Sequence, residues 1–299
     1  MSRIRPQPRA FALSSSTAPG RISTPYALTK KTAPTETEDK KAYLPFPVGS
    51  MSTTSSITSS SAPLSRGWWF DTSRGCFAEF LGDFMFVFIG SLSGTNLIGA
   101  AFAHGLTIAL LVISLGPVSG GHFNPAVTLG IALSNAIHPV RAVLYVVFQL
   151  LGGFLGALFV RIVSPDYANR NGITTLGNLP GVNKVDPGEA VVLEILLTYF
   201  LVLTVLCAAV DSDGKNTLAP LAIGFTLAVD IFAAGDITGA SMNPARSLGP
   251  SIAASIFGGT SRLPWEFHYV YWAGPIGGAI IAALFYKLVL AKKERRLLA

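Results

Sequence analysis

Ala103–Gly130 reads AHGLTIALLVISLGPVSGGHFNPAVTLG, and 119 residues further on Ala222–Gly249 reads AIGFTLAVDIFAAGDITGASMNPARSLG. The two stretches align without a gap. Gly105/Gly224, Thr107/Thr226, Ala109/Ala228, Gly120/Gly239, Asn124/Asn243, Pro125/Pro244, Ala126/Ala245 and Gly130/Gly249 are identical pairs. Each stretch is an apolar run, a glycine-containing turn, and then Asn-Pro-Ala opening a second apolar run too short to cross a bilayer. Asn followed by Pro is a helix start, because the Asn side chain caps and proline at the first helical position gives up an amide that had no partner there. Residues 122–134 and 241–255 are therefore expected to be re-entrant half-helices.

Outward from these stretches lie six apolar runs, at 76–95, 98–116, 138–162, 188–210, 217–235 and 268–290. Each is close to the ~20 residues that cross ~30 Å of hydrocarbon. Half of all residues are hydrophobic, 13% are charged and the mean hydropathy is +0.51. A soluble domain carries roughly a quarter charged residues, so most soluble enzymes are excluded. The fold class read from this is an all-α membrane protein with six transmembrane helices and two re-entrant half-helices. Its channel domain spans 75–290, with repeats at 75–163 and 188–290.

Three spans per repeat is an odd number, so the second copy is inverted and the two half-helices enter from opposite faces. Their N-termini meet near the midplane, each carrying about half a positive charge, an arrangement that repels cations. Irregular backbone at that depth is tolerated only where it is buried in protein or lines a water-filled cavity, so a pore down the repeat interface is expected. The amide groups of Asn124 and Asn243 are candidate donors to a passing water. Arg246, directly after the second motif, is a charge at membrane depth and hence a candidate pore residue.

The net charge of +6 resides in the tail. The first 75 residues hold ten Lys/Arg and four Asp/Glu, and the remainder holds twelve of each. With no basic excess on the folded part, nucleic acid is not an expected partner. Residues 1–74, rich in Ser, Thr and Pro as in Ser52–Ser61, are expected to be a disordered cytosolic tail. Arg3, Arg5, Arg9 and Arg21 precede any acid, a transit-peptide composition without the amphipathic period. Residues 291–299 form a basic C-terminal tail. An even span count with basic ends places both termini in the cytosol. Cys76 and Cys207 have no ligand spacing, and neither a metal nor a cofactor is expected.

The paired Asn-Pro-Ala motifs, Ala78-Glu79-Phe80, Ser119-Gly-Gly-His122, Asn243-Pro-Ala-Arg246-Ser247 and Tyr271-Trp272-Ala-Gly-Pro275 closely resemble the aquaporin (major intrinsic protein) family over about residues 75–290. The resemblance implies a passive channel for water, with ammonia, hydrogen peroxide and urea as further neutral solutes. It also implies a homotetramer in a lipid bilayer, either the plasma membrane or a vacuolar-type internal membrane. By resemblance, His104, Ile231, Ala240 and Arg246 form a selectivity filter like that of the tonoplast-intrinsic and ammonia-permeable branch. Ser247, Tyr271 and Trp272 differ from the glycerol-conducting branch. Glu79 and Glu194 are expected to accept hydrogen bonds from the re-entrant loops, and His122 to line the inner vestibule or brace its loop.

Asp83 and Asp230 depart from the family pattern. One reading of Asp230 is that it orients or charges His104 and makes permeation pH-sensitive; the other is a local hydrogen bond to backbone. The competing function is a proton-coupled small-solute transporter, since inverted repeats with broken helices also build those and Glu79, Asp83 and Asp230 offer carboxyls. An intramembrane enzyme is not supported, because His104 and His122 have no Ser or Cys partner at a convincing spacing.

Overall fold

The structure, a computed structural model, describes residues 64–94, 96–164, 173–176, 185–211, 214, 216–257 and 264–291. The expectations for residues 1–63 and for the basic residues 292–299 lie outside this set. Among the described residues there are eight α-helices and no strand. They are α1 (Arg66–Leu92), α2 (Leu97–Ser119), α3 (Pro125–Leu133), α4 (Pro139–Val163), α5 (Pro187–Val205), α6 (Ala219–Ala234), α7 (Pro244–Phe257) and α8 (Val270–Phe285). Helices α5 and α8 each end in a single π-helical turn, Leu206–Val210 and Tyr286–Leu290.

Five helices, counting those π turns, are long and apolar enough to cross a membrane. Helix α6 is the exception at 16 residues, about 24 Å of helix. It starts late because Asn216 makes a local turn, its Oδ1 accepting from the Leu218 amide at 2.9 Å, and because Pro220 sets the first helical turn. The half-helices α3 and α7 begin at the prolines after Asn124 and Asn243.

The expected boundary at residue 75 is corrected by α1, which begins at Arg66 and takes residues 66–74 out of the tail. Ser65 caps this helix, its Oγ accepting from the Trp68 amide at 3.1 Å. The added turns are anchored by aromatic contacts rather than by an apolar period. Trp68 packs edge-on against His138, the Arg141 guanidinium lies 5.2 Å from the Trp68 ring centroid, and Arg141 Nε donates to Thr72 Oγ1 at 3.0 Å.

Each repeat contributes three spans and one half-helix. Within a repeat the first and third spans pair, α1 on α4 and α5 on α8. Between repeats, α2 crosses α6, while each half-helix packs on the last span of the other half, α7 on α4 and α3 on α8. Glycines permit these approaches. A Cβ on Gly156 would come within 2.4 Å of the Phe84 carbonyl oxygen, and one on Gly153 within 2.8 Å of the Ala245 carbonyl oxygen. Gly278 faces the Ile195 backbone and Gly277 its side chain. These four therefore mark packing inside one chain.

The matched pair Gly105 and Gly224 meets where the two halves cross. A Cβ on Gly105 would lie 2.5 Å from the Gly224 carbonyl oxygen, and one on Gly224 2.4 Å from the Gly105 carbonyl oxygen. A side chain at either position must push α2 and α6 apart. Gly105→Val is expected to lower stability by about 1–3 kcal/mol or more through overpacking, read as loss of folded protein in thermal unfolding of the detergent-solubilised chain. Gly116→Ala, whose Cβ would meet only Val112 at 3.7 Å, is expected to unfold like the parent. Equal unfolding temperatures for the two variants would contradict the packing.

Candidate functional site

The segments that turn from α2 into α3 and from α6 into α7 adopt backbone conformations that L-residues resist. Gly120 and Gly239 occupy matched left-handed positions, with φ of 98° and 83°, and Phe123 and Met242 follow at 46° and 52°. Ala240 sits at 42°, where its counterpart Gly121 is at 70°. Non-glycine residues held at positive φ cost of order 1–3 kcal/mol each and persist only when the surroundings enforce them.

Glu79 and Glu194 enforce them. Glu79 Oε1 accepts from Ser119 Oγ (2.5 Å) and the His122 amide (3.0 Å), and Oε2 accepts from the Phe123 amide (2.6 Å) and Gln149 Nε2 (2.8 Å). Glu194 Oε1 accepts from Thr238 Oγ1 (2.7 Å) and the Ser241 amide (2.9 Å), and Oε2 from the Met242 amide (2.8 Å). Tyr145 Oη donates to the Ser119 carbonyl at 3.0 Å, and Tyr271 Oη to the Thr238 carbonyl at 2.8 Å. Apart from Gln149 on Glu79, each of these bonds has its mate in the other half. Both carboxyls are fully buried and are satisfied by neutral donors; the one ion pair among the described residues is Arg74–Asp71 on the exposed start of α1.

The two asparagines cap and cross-link the half-helices. Asn124 Oδ1 accepts from the Ala126 amide at 2.8 Å, and Asn243 Oδ1 accepts from the Ala245 and Arg246 amides at 2.9 and 3.3 Å. Asn124 Nδ2 donates to the Met242 carbonyl and Asn243 Nδ2 to the Phe123 carbonyl, both at 2.9 Å. One hydrogen of each amide is thus used to hold the opposite loop. The second hydrogen of each is available at a cavity of about 20 Å³ lined by both asparagines, His122, Phe86 and Val127 among others, room for a single water. His122 itself bonds through Nδ1 to Thr128 Oγ1 at 3.1 Å and stacks edge-on against Tyr145.

His104, Ile231, Ala240 and Arg246 do not line this cavity. His104, Ile231 and Ala240 are buried, and Arg246 lies within electrostatic reach of His104. His104 Nδ1 donates to the Ala100 carbonyl at 2.8 Å, and its ring lies over Gly90 and edge-on to Phe86. Asp230 does not orient it, and Asp230 Oδ2 has no partner. Arg246 Nη1 is buried without a hydrogen-bond partner among the described residues.

Ser247 receives a hydrogen bond from Thr174 Oγ1 at 2.8 Å and shares another with Ser241 Oγ at 2.5 Å. Trp272 is half-buried on α8. Gln149, Thr128, Tyr145, Thr238 and Thr174 all brace the re-entrant segments, and none is singled out by the sequence. Only the repeat could have pointed to some of them, since Ser119 matches Thr238 and Thr128 matches Ser247 at the 119-residue offset. Among the described residues no group of three or more His, Cys, Asp or Glu could hold a metal ion.

Comparison with known proteins places this geometry in a family. Residues 68–286 match the family described as major intrinsic protein. Aquaporin-8 of Mus musculus is 36% identical over 251 residues, covering 81% of this chain and 92% of that protein. Aquaporin TIP1-2 of Zea mays is 38% identical over 235 residues, covering 73% of this chain and 87% of that protein. The X-ray structure of the aquaglyceroporin from Plasmodium falciparum superposes with a TM-score of 0.61 at 23% identity, over 73% of this chain and 97% of that one, and shares its fold. Family match, relatives and paired re-entrant loops agree: the chain belongs to the major intrinsic protein family, the aquaporins, whose members are multi-pass membrane channels for water and small solutes.

Proposed function

We propose that this chain forms a passive pore conducting water and, beside it, small neutral solutes such as ammonia, hydrogen peroxide and urea, while excluding protons and other ions. The observation that carries the reading is the pair of Asn124 and Asn243 amides at one cavity between two half-helix N-termini. A water there faces donors from both sides and the positive ends of both helix dipoles. It is oriented as an acceptor and cannot hand a proton along the file.

The repeat supports His104, Ala240 and Arg246 as filter residues, and the family resemblance adds Ile231, whose mate Val112 does not line the cavity. Shifted by 119 residues, His104 maps to Ile223, Ala240 to Gly121 and Arg246 to Val127. Those three residues line the cavity, so an inverted repeat presents the mates to the pore on the opposite side of the half-helix junction. The unpartnered Nη1 of Arg246 is a buried donor that a solute can satisfy. In this reading both termini are cytosolic, the assembly is a homotetramer, and the host is the plasma membrane or a vacuolar-type membrane.

Proteoliposomes containing the full chain are expected to swell under an osmotic gradient at the same rate with or without a pH gradient. Swelling or solute uptake that requires the pH gradient would instead identify a proton-coupled transporter. The filter is tested separately by His104→Phe, which trades a hydrogen-bonding ring for an apolar one. Ammonia permeability is expected to fall about tenfold, equivalent to ~1.4 kcal/mol, with water permeability changed far less. An unchanged ratio of ammonia to water would remove His104 from the filter.

A further inference from the structure

Asp83 is fully buried on α1, one turn beyond Glu79 on the same helix face, and neither of its carboxyl oxygens has a hydrogen-bond partner. Leaving such a group unsatisfied is costly, and Glu79, four residues away, shows what satisfaction looks like in the same helix. The surroundings of Asp83 are well defined. Gly82 is packed against the Phe123 ring, so close that a Cβ there would lie 2.0 Å from it. The Phe123 carbonyl accepts from Asn243 Nδ2. The Asp83 carboxyl lies beside the Asn243 side chain, although neither carboxyl oxygen meets hydrogen-bond geometry with a described residue. Phe86, three residues on, lines the cavity together with Asn243.

Residue 83 is also where the halves differ. Its place relative to Glu79 is that of Thr198 relative to Glu194, and Thr198 Oγ1 is likewise buried and without a partner. The position therefore carries a buried polar group in both halves, neutral in one and ionisable in the other.

We propose that Asp83 is a positioning residue for Asn243, its carboxyl competing with the pore for the second amide hydrogen of that asparagine, so that its ionisation weakens the water site at the junction of the half-helices. The proposal rests on the pore reading above. An amide has two hydrogens. Asn243 spends one on Phe123, and the other serves either pore water or Asp83. An ionised carboxyl is the stronger acceptor and also offsets the positive half-helix ends. The ionisable groups on the elements packed around it are Arg66, Asp71, Arg74, Cys76 and Glu79 on α1, Arg141, Tyr145 and Arg161 on α4, His104 on α2, His122 in the first re-entrant loop and Arg246 on α7. Of these, Glu79 is the one whose charge reaches Asp83, and both of its oxygens are already engaged by four donors.

The test is stopped-flow water permeability per channel of the full chain in proteoliposomes, with Asp83→Asn and Asp83→Thr, across about pH 5 to pH 9. The parent is expected to lose at least about half its permeability as pH rises through the titration of one group, and both variants are expected to give flat profiles. Difference infrared spectra should show a titrating carboxyl band in the parent that both variants lack. Asp83→Thr installs the residue type found at Thr198, so it stands in if Asp83→Asn does not fold. A flat parent profile, or variants that keep the parent's pH dependence, would overturn the assignment while leaving the channel reading intact. A parent impermeable to water at every pH would overturn the channel reading instead.

Discussion

Glu79 and Glu194 each hold two consecutive backbone amides of a re-entrant segment in a place where water cannot. Inside a bilayer every backbone donor must find an internal acceptor, and the stretches before the half-helices cannot supply their own because their φ values break the helical ladder. The two carboxyls substitute for the missing carbonyls at His122, Phe123, Ser241 and Met242. Once those amides are fixed, the carbonyls of Phe123 and Met242 point at the opposite asparagines, and the asparagines in turn cap the half-helices. The orientation of the pore donors thus depends on two acids buried in the first span of each half. Removing either would orphan several buried donors at once, each worth about 1–3 kcal/mol, so these carboxyls serve fold and pore together.

The exchange of half-helices between repeats explains why the architecture needs both copies. Helix α7 packs on α4 and α3 on α8, so neither half can complete its own re-entrant loop. The Gly105–Gly224 contact fixes the crossing of the two halves, and the reciprocal bonds between Asn124 and Met242 and between Asn243 and Phe123 lock it at the centre. An inverted repeat related by a two-fold axis in the membrane plane delivers opposed helix N-termini as a geometric consequence. In the proposed channel, cation exclusion follows from backbone dipoles and does not require a dedicated charged side chain at the midplane.

Much of this was legible in the amino-acid order because it is local or repeated. Asn-Pro announces a capped helix start within two residues, and the structure begins α3 and α7 at Pro125 and Pro244. The 119-residue offset pairs Asn124 with Asn243 without reference to any contact. The start of α1 at Arg66 was not legible, since its first turns are held by Trp68, His138 and Arg141 meeting across two helices and not by an apolar period. Gln149 and Thr174 were equally silent. Gln149 matters because α4 lies against Glu79, and Thr174 because an extramembrane segment folds back onto Ser247. Such partners are set by tertiary approach, on which spacing along the chain says nothing.

What the repeat leaves unmatched has as much consequence as what it matches. Ile223 and Val127 meet the cavity, and their mates at the 119-residue offset are His104 and Arg246. An apolar wall lets water pass with few bonds to break, whereas a wall with an imidazole and a guanidinium asks a solute to exchange hydrogen bonds before it enters. In the proposed channel, symmetric positions build the path and substitutions that break the symmetry on one side give it selectivity. By the same logic a selective residue is best sought where the two halves disagree in polarity at a buried position. That criterion picks out Arg246 against Val127 and His104 against Ile223, while Asp83 against Thr198 is a disagreement in charge between two buried polar groups.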